Sequence, residues 1–201
     1  MRLLSYFTEF WPSDNTDPIE RLFIQWGFSQ VFPAKTMCAH VTTWNKNSSV
    51  KFRTDVAMMC KLGFDIKLAD MSKDDETYCR TAVQNYNRLK PVVLEGDMYR
   101  LVSPYGSNHT STMYVGKDKD KAVVFAFDIH PRYAEKTLPV RLQGLDADKM
   151  YRVKEINLMP GANSSLSGNG EVFSGEFLMN VGLNLFTTQQ LNSRVVEVVA
   201  E

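Results

Sequence analysis

Trp11-Pro12-Ser13-Asp14-Asn15-Thr16-Asp17-Pro18 sets two carboxylates three residues apart, immediately ahead of a helix. Asp17 stands where an N-cap acid accepts from free N–H groups. Pro18 fits the first helical position, and Glu20 occupies the capping-box position. Ile19, Leu22, Phe23 and Trp26 then recur at helical spacing, and Gly27 is read as the stop. Asp14 has no part in this scheme. An acid there is costly unless it is solvated, hydrogen-bonded or used. From the residues alone, closing an Asx-turn is the commoner fate of Ser-Asp-Asn; a chemical role is the alternative.

Working outward, helical signals dominate as far as Pro91. A second apolar run with helical stretches crosses Val50 to Leu62, and Phe64-Asp65-Ile66 reads as a short strand or rim segment. A third helix starts at Ser72 with Asp75 at the capping-box position. It carries Ala82, Val83, Tyr86 and Leu89 on one face and is expected to end before Pro91. Beyond Pro91 the pattern turns to β. Strand-like runs fall at Tyr99–Ser103, Thr112–Val115, Ala122–Ile129, Pro139–Leu142, Tyr151–Leu158, Leu183–Thr187 and Val195–Val199, separated by polar turns. That spacing predicts an antiparallel β-sandwich over residues 92–201. The Lys117–Lys121 charge run reads as a solvated hairpin tip.

The chain is 44% hydrophobic and 23% charged, with zero formal net charge, a composition typical of globular domains. No basic stripe is present, so nucleic acid and anionic membranes are poor candidate partners. The opening Met1–Phe7 stretch is apolar for too few residues to be a secretion signal, and a cytoplasmic or periplasmic location is expected. Cys38, Cys60 and Cys79 are odd in number and widely spaced, which points to free buried thiols. Cys38 and His40 lack the second pair that a tetrahedral metal site needs, so no metal and no other cofactor is expected.

The segment Trp11 to Arg21, with Ser13-Asp14-Asn15-Thr16-Asp17 at its core, resembles the retaining α-galactosidases of glycoside hydrolase family 36. The likeness continues through Phe32-Pro33-Ala34-Lys35, Met37-Cys38-Ala39-His40-Val41, and residues 53–66. It extends to Leu142-Gln143-Gly144-Leu145-Asp146 and Tyr151-Arg152-Val153. The resemblance implies the fold class: residues 1–91 as the last β/α units of a (β/α)8 barrel, since a closed barrel needs roughly 250 residues, then the family's C-terminal β domain. A small self-contained α+β domain is the alternative.

By that resemblance Asp14 is the catalytic general acid/base. It must then keep its proton near neutral pH, which burial against Trp11 and neighbouring acids would favour. The family's nucleophile sits in a Lys-Trp-Asp strand that has no counterpart here, so the chain alone is expected to be inactive. Trp11 is either a sugar-facing wall or a core tryptophan, and Ser13 either orients the Asp14 loop or simply makes a turn. Both are candidate substrate-binding residues. Asp17, Arg21 and His40 are placed near the site as structural residues: Asp17 as the cap, Arg21 paired with Asp17 or another acid, His40 in a loop after Pro33. Trp26 and Trp44 read as packing. The implied partner is a galactose-containing oligosaccharide, with oligomerisation expected in the complete enzyme. Competing readings are a noncatalytic carbohydrate-binding or structural β domain, and a subunit completing a barrel in trans.

Overall fold

A computed structural model describes residues 7–44 and 47–201; the Met1–Tyr6 part of the opening stretch lies outside them. In its first half, helices and parallel strands alternate. The α1 helix (Pro18–Phe28) is followed by β1 (Cys38–Thr42), α2 (Val50–Ala57), β2 (Lys61–Asp65) and α3 (Lys73–Glu95). β1 and β2 pair in parallel, with His40 opposite Gly63 and Thr42 opposite Asp65. Phe10 adds a parallel bridge to Met37 on the other side of β1. The N–H of Phe10 donates to Thr36 O at 2.8 Å and Cys38 N to Phe10 O at 3.0 Å. Three parallel segments joined by helices are the repeating β/α unit expected at the end of a barrel.

Strand alternation sorts the side chains. Ala39, Val41, Leu62 and Phe64 join Phe10, Phe28 and Phe32 in one apolar cluster under the helices. Cys38, His40, Lys61 and Gly63 fall on the opposite, half-buried face.

The helix ends depart from expectation in instructive ways. α1 runs past Gly27 and closes at Ser29, whose N–H donates to Gln25 O, while Gln30 N donates to Gly27 O. Its buried face is Pro18, Arg21, Leu22 and Gln25, polar where a purely apolar stripe was expected, because Gln25 Nε2 donates to Val56 O at 3.0 Å. α3 begins as predicted, with Ser72 Oγ accepting from Asp75 N at 3.1 Å, but it continues through Pro91. An interior proline costs about 3 kcal/mol. Burying Val92 and Val93 beyond it returns about 1.5–3 kcal/mol each, which is enough to carry the helix on. Val83 lies outside the buried face.

The second half is one six-stranded sheet: β3 (Asp97–Val102), β4 (His109–Val115), β5 (Lys121–Asp128), β6 (Met150–Ile156), β7 (Val172–Ser174) and β8 (Asn192–Ala200). The spatial order is β3-β4-β5-β8-β6-β7, with every pair antiparallel. Lys119, at φ 59°, sits in the β4–β5 turn as the charge run predicted. Both faces of this sheet are covered. Val123, Phe125, Phe127 and Val195 pack against α2 and α3, Phe52 meeting Phe127 edge-on at 5.6 Å. Val124, Val196 and Val198 pack against Leu142, Leu178, Leu183 and Leu185. The second layer is therefore built from extended segments and the short α4 (Gly175–Asn180). Pro139–Leu142 and Leu183–Thr187 meet only in a bridge between Val140 and Leu183.

A buried polar cluster ties the halves together. Asp55, fully buried on α2, accepts from Lys51 Nζ at 2.6 Å, Tyr78 Oη at 2.8 Å, Asn157 Nδ2 at 3.0 Å and Ser193 Oγ at 2.7 Å.

Candidate active site

The loop from Trp11 to Asp17 leaves the Phe10 segment at its C-terminal end, the end at which barrel enzymes place their chemistry. Its side chains are knotted together. Ser13 Oγ accepts from Asn15 N at 3.1 Å, and Asn15 Oδ1 accepts from Asp17 N at 2.9 Å. Thr16, buried, shares a 2.9 Å bond with the Thr42 hydroxyl at the end of β1. Asp17 is the N-cap: Oδ1 accepts from Ile19 N at 3.0 Å and Glu20 N at 3.1 Å. The reciprocal bond expected from Glu20 is replaced by Asn15, which takes the Asp17 N–H first.

Arg21 corrects the sequence reading. Among the described residues it pairs with no acid; it is buried, and its guanidinium donates to Ser13 O at 3.2 Å and Cys38 O at 3.0 Å. It thereby clamps the loop to β1. Burial pushes its pKa down from the ordinary arginine value, with the Cys60 and Cys38 thiols opposing. One turn into α1, only a long fork-shaped donor reaches both carbonyls.

Within this knot Asp14 is the exception. Its side chain is exposed, and among the described residues it has no hydrogen-bond partner. Burial against Trp11, expected from the sequence, is absent, because the indole packs elsewhere. Trp11 is 42% exposed here and lies on the His40 ring with centroids 3.8 Å apart. His40 belongs to β1 and not to a loop. Burial, then the charge of Arg21, hold its pKa below the ordinary histidine value, with Asp65 opposing. Trp44 is 56% exposed rather than packed.

Ser13, Asp14 and Asp17 thus share one loop, which Arg21 clamps from α1, with Trp11 and His40 stacked beside it. Gly63 and Asp65, on the His40-facing side of β2, were not singled out from the sequence. Only the β1–β2 register reveals them. Cys38, Cys60 and Cys79 are free, Cys60 alone being fully buried. Among the described residues no group of three or more His, Cys, Asp or Glu side chains is placed to hold a metal ion.

Residues 1–96 match the Melibiase family model and residues 109–198 match the glycosyl hydrolase family 36 C-terminal domain. The chain belongs to glycosyl hydrolase family 36. Among family relatives, α-galactosidase 2 of Hypocrea jecorina is 35% identical over 200 residues, covering 96% of this chain and 25% of that protein. The family 36 α-galactosidase AgaB from Geobacillus stearothermophilus superposes with a TM-score of 0.87 at 28% identity, over 99% of this chain and 26% of that one. A variant of AgaA from the same organism, solved in complex with raffinose, gives 0.86 at 27% identity, over 99% and 27%. The chain therefore spans about a quarter of the length of the relatives it matches.

Proposed function

We propose that this chain carries the general acid/base, Asp14, of a retaining α-galactosidase acting on galactose-terminated oligosaccharides. The observation that carries the reading is the isolation of one carboxyl. Ser13, Asn15, Thr16, Asp17 and Arg21 all hold the loop, while Asp14 is presented to solvent with no partner among the described residues, at the C-terminal end of a parallel strand. The family relatives support the substrate class, since neighbouring structures hold raffinose and stachyose.

Retention requires two carboxyl groups about 5–5.5 Å apart. One attacks the anomeric carbon as the glycosidic C–O bond breaks, and Asp14 passes its proton to the departing oxygen. Asp14 then removes a proton from the water that releases galactose. The attacking carboxylate belongs to a Lys-Trp-Asp motif in the family, and no such tripeptide occurs in these 201 residues. On this reading it is supplied by residues other than these 201. The barrel end then extends to the end of α3, a little past the division at residue 91, and the six-stranded sheet forms the C-terminal domain. No metal or organic cofactor takes part.

The test is Asp14→Asn in the assembled enzyme. Losses about 10²–10⁴-fold are expected for substrates with poor leaving groups, the range typical of a proton-transfer side chain. Activated aryl galactosides, which leave without a proton, should lose far less in the bond-breaking step. Equal losses for both substrate types would remove Asp14 from the acid role.

A further inference from the structure

The inward face of the parallel strands carries a second feature beside Asp14. Trp11 rests on His40 with the rings tilted by 38°, and His40 rests on Gly63, its cross-strand neighbour. A Cβ built on Gly63 would lie 2.7 Å from both Cδ2 and Nε2 of His40. Side-chain atoms do not approach that closely, so the missing side chain is a notch for the imidazole. Gly63 is absent from the positive-φ residues, which leaves close approach, and not backbone conformation, as the reason for a glycine inside a strand.

Among the described residues the His40 Nδ1 is buried with no partner, whereas a structural histidine normally satisfies its ring nitrogens. Arg21 from α1 and Asp65 from β2 are the charges acting on the ring, and both act electrostatically without bonding it. What His40 does hold is the indole, which stays 42% exposed three residues before Asp14. An amphipathic aromatic face beside a proton donor is suited to the C–H face of a hexose.

We propose that His40, seated in the Gly63 notch, is a positioning residue that fixes Trp11 as the sugar-facing wall next to Asp14. This rests on the α-galactosidase reading. In the assembled enzyme, His40→Ala and Gly63→Ala should each raise KM for raffinose roughly tenfold with kcat nearly unchanged, the pattern of lost uniform binding through one aromatic contact. His40→Phe, which keeps a stacking ring, should retain the parent KM. In the 201-residue chain carrying Trp26→Phe and Trp44→Phe, where Trp11 is the one tryptophan left, His40→Ala should also brighten Trp11 emission and increase its quenching by acrylamide. A fall in kcat at constant KM, an unchanged KM in both variants, or Trp11 emission indifferent to His40 would each overturn the proposal. The emission arm does not depend on turnover. Failure of the Asp14→Asn leaving-group test with the His40 results intact would therefore sink the acid role alone.

Discussion

Asp14 and Asp17 are three residues apart and differ in everything that matters chemically. Asp17 receives two backbone N–H groups and Asp14 none, a division that cap and proline preferences made legible before any coordinates. Arg21 was not legible, because its role depends on Cys38 O arriving from a strand seventeen residues later. The same holds for Gly63, whose meaning lies in the register of two strands. Cys60 offers a test at this scale. Burial pushes its thiol up from the ordinary 9.0 to about 12, so the folded chain keeps the proton while the unfolded chain loses it. Stability should therefore fall as pH rises from about 9 towards 12. Thermal unfolding across that range should show a shallower decline in Cys60→Ala; identical slopes would contradict the assignment.

Among the elements, α3 shows how tertiary burial overrides a local breaker. The proline rule predicts a stop before Pro91 and fails here because Val92 and Val93 still face the core. Pro91→Ala removes that cost while keeping the buried face. It should raise the free energy of unfolding by about 1–3 kcal/mol, measured by urea titration; a loss of stability would mean that the proline shapes the helix it interrupts. The central strands were readable for the opposite reason. β5 and β8 are covered on both faces, so their near-continuous apolar runs are hard to mistake. The segments at Pro139–Leu142 and Leu183–Thr187 have strand-like composition, but each meets the other at one bridge only. Composition sets which residues are buried there; it does not supply the ladder partners.

Across the whole molecule, one apolar cluster runs from α2 and α3 into the sheet, and the Asp55 cluster crosses the same boundary. Asp55→Ala would leave Lys51, itself largely buried, without its partner. A loss of about 3–5 kcal/mol is expected, with both halves unfolding in a single calorimetric transition. Two separate transitions in the parent chain would show that the halves are not coupled. On the proposed function the chain alone should give no measurable cleavage of an aryl α-galactoside, since no Lys-Trp-Asp tripeptide occurs among its residues. Asp14 as the proton carrier and Asp14 as the attacking group predict different products when azide is added. In the assembled enzyme with Asp14→Ala, azide needs no base, so it should replace water at the glycosyl-enzyme, restore turnover of an activated galactoside and yield the α-galactosyl azide. A β-galactosyl azide would make Asp14 the nucleophile, and no rescue at all would place it away from the reacting carbon.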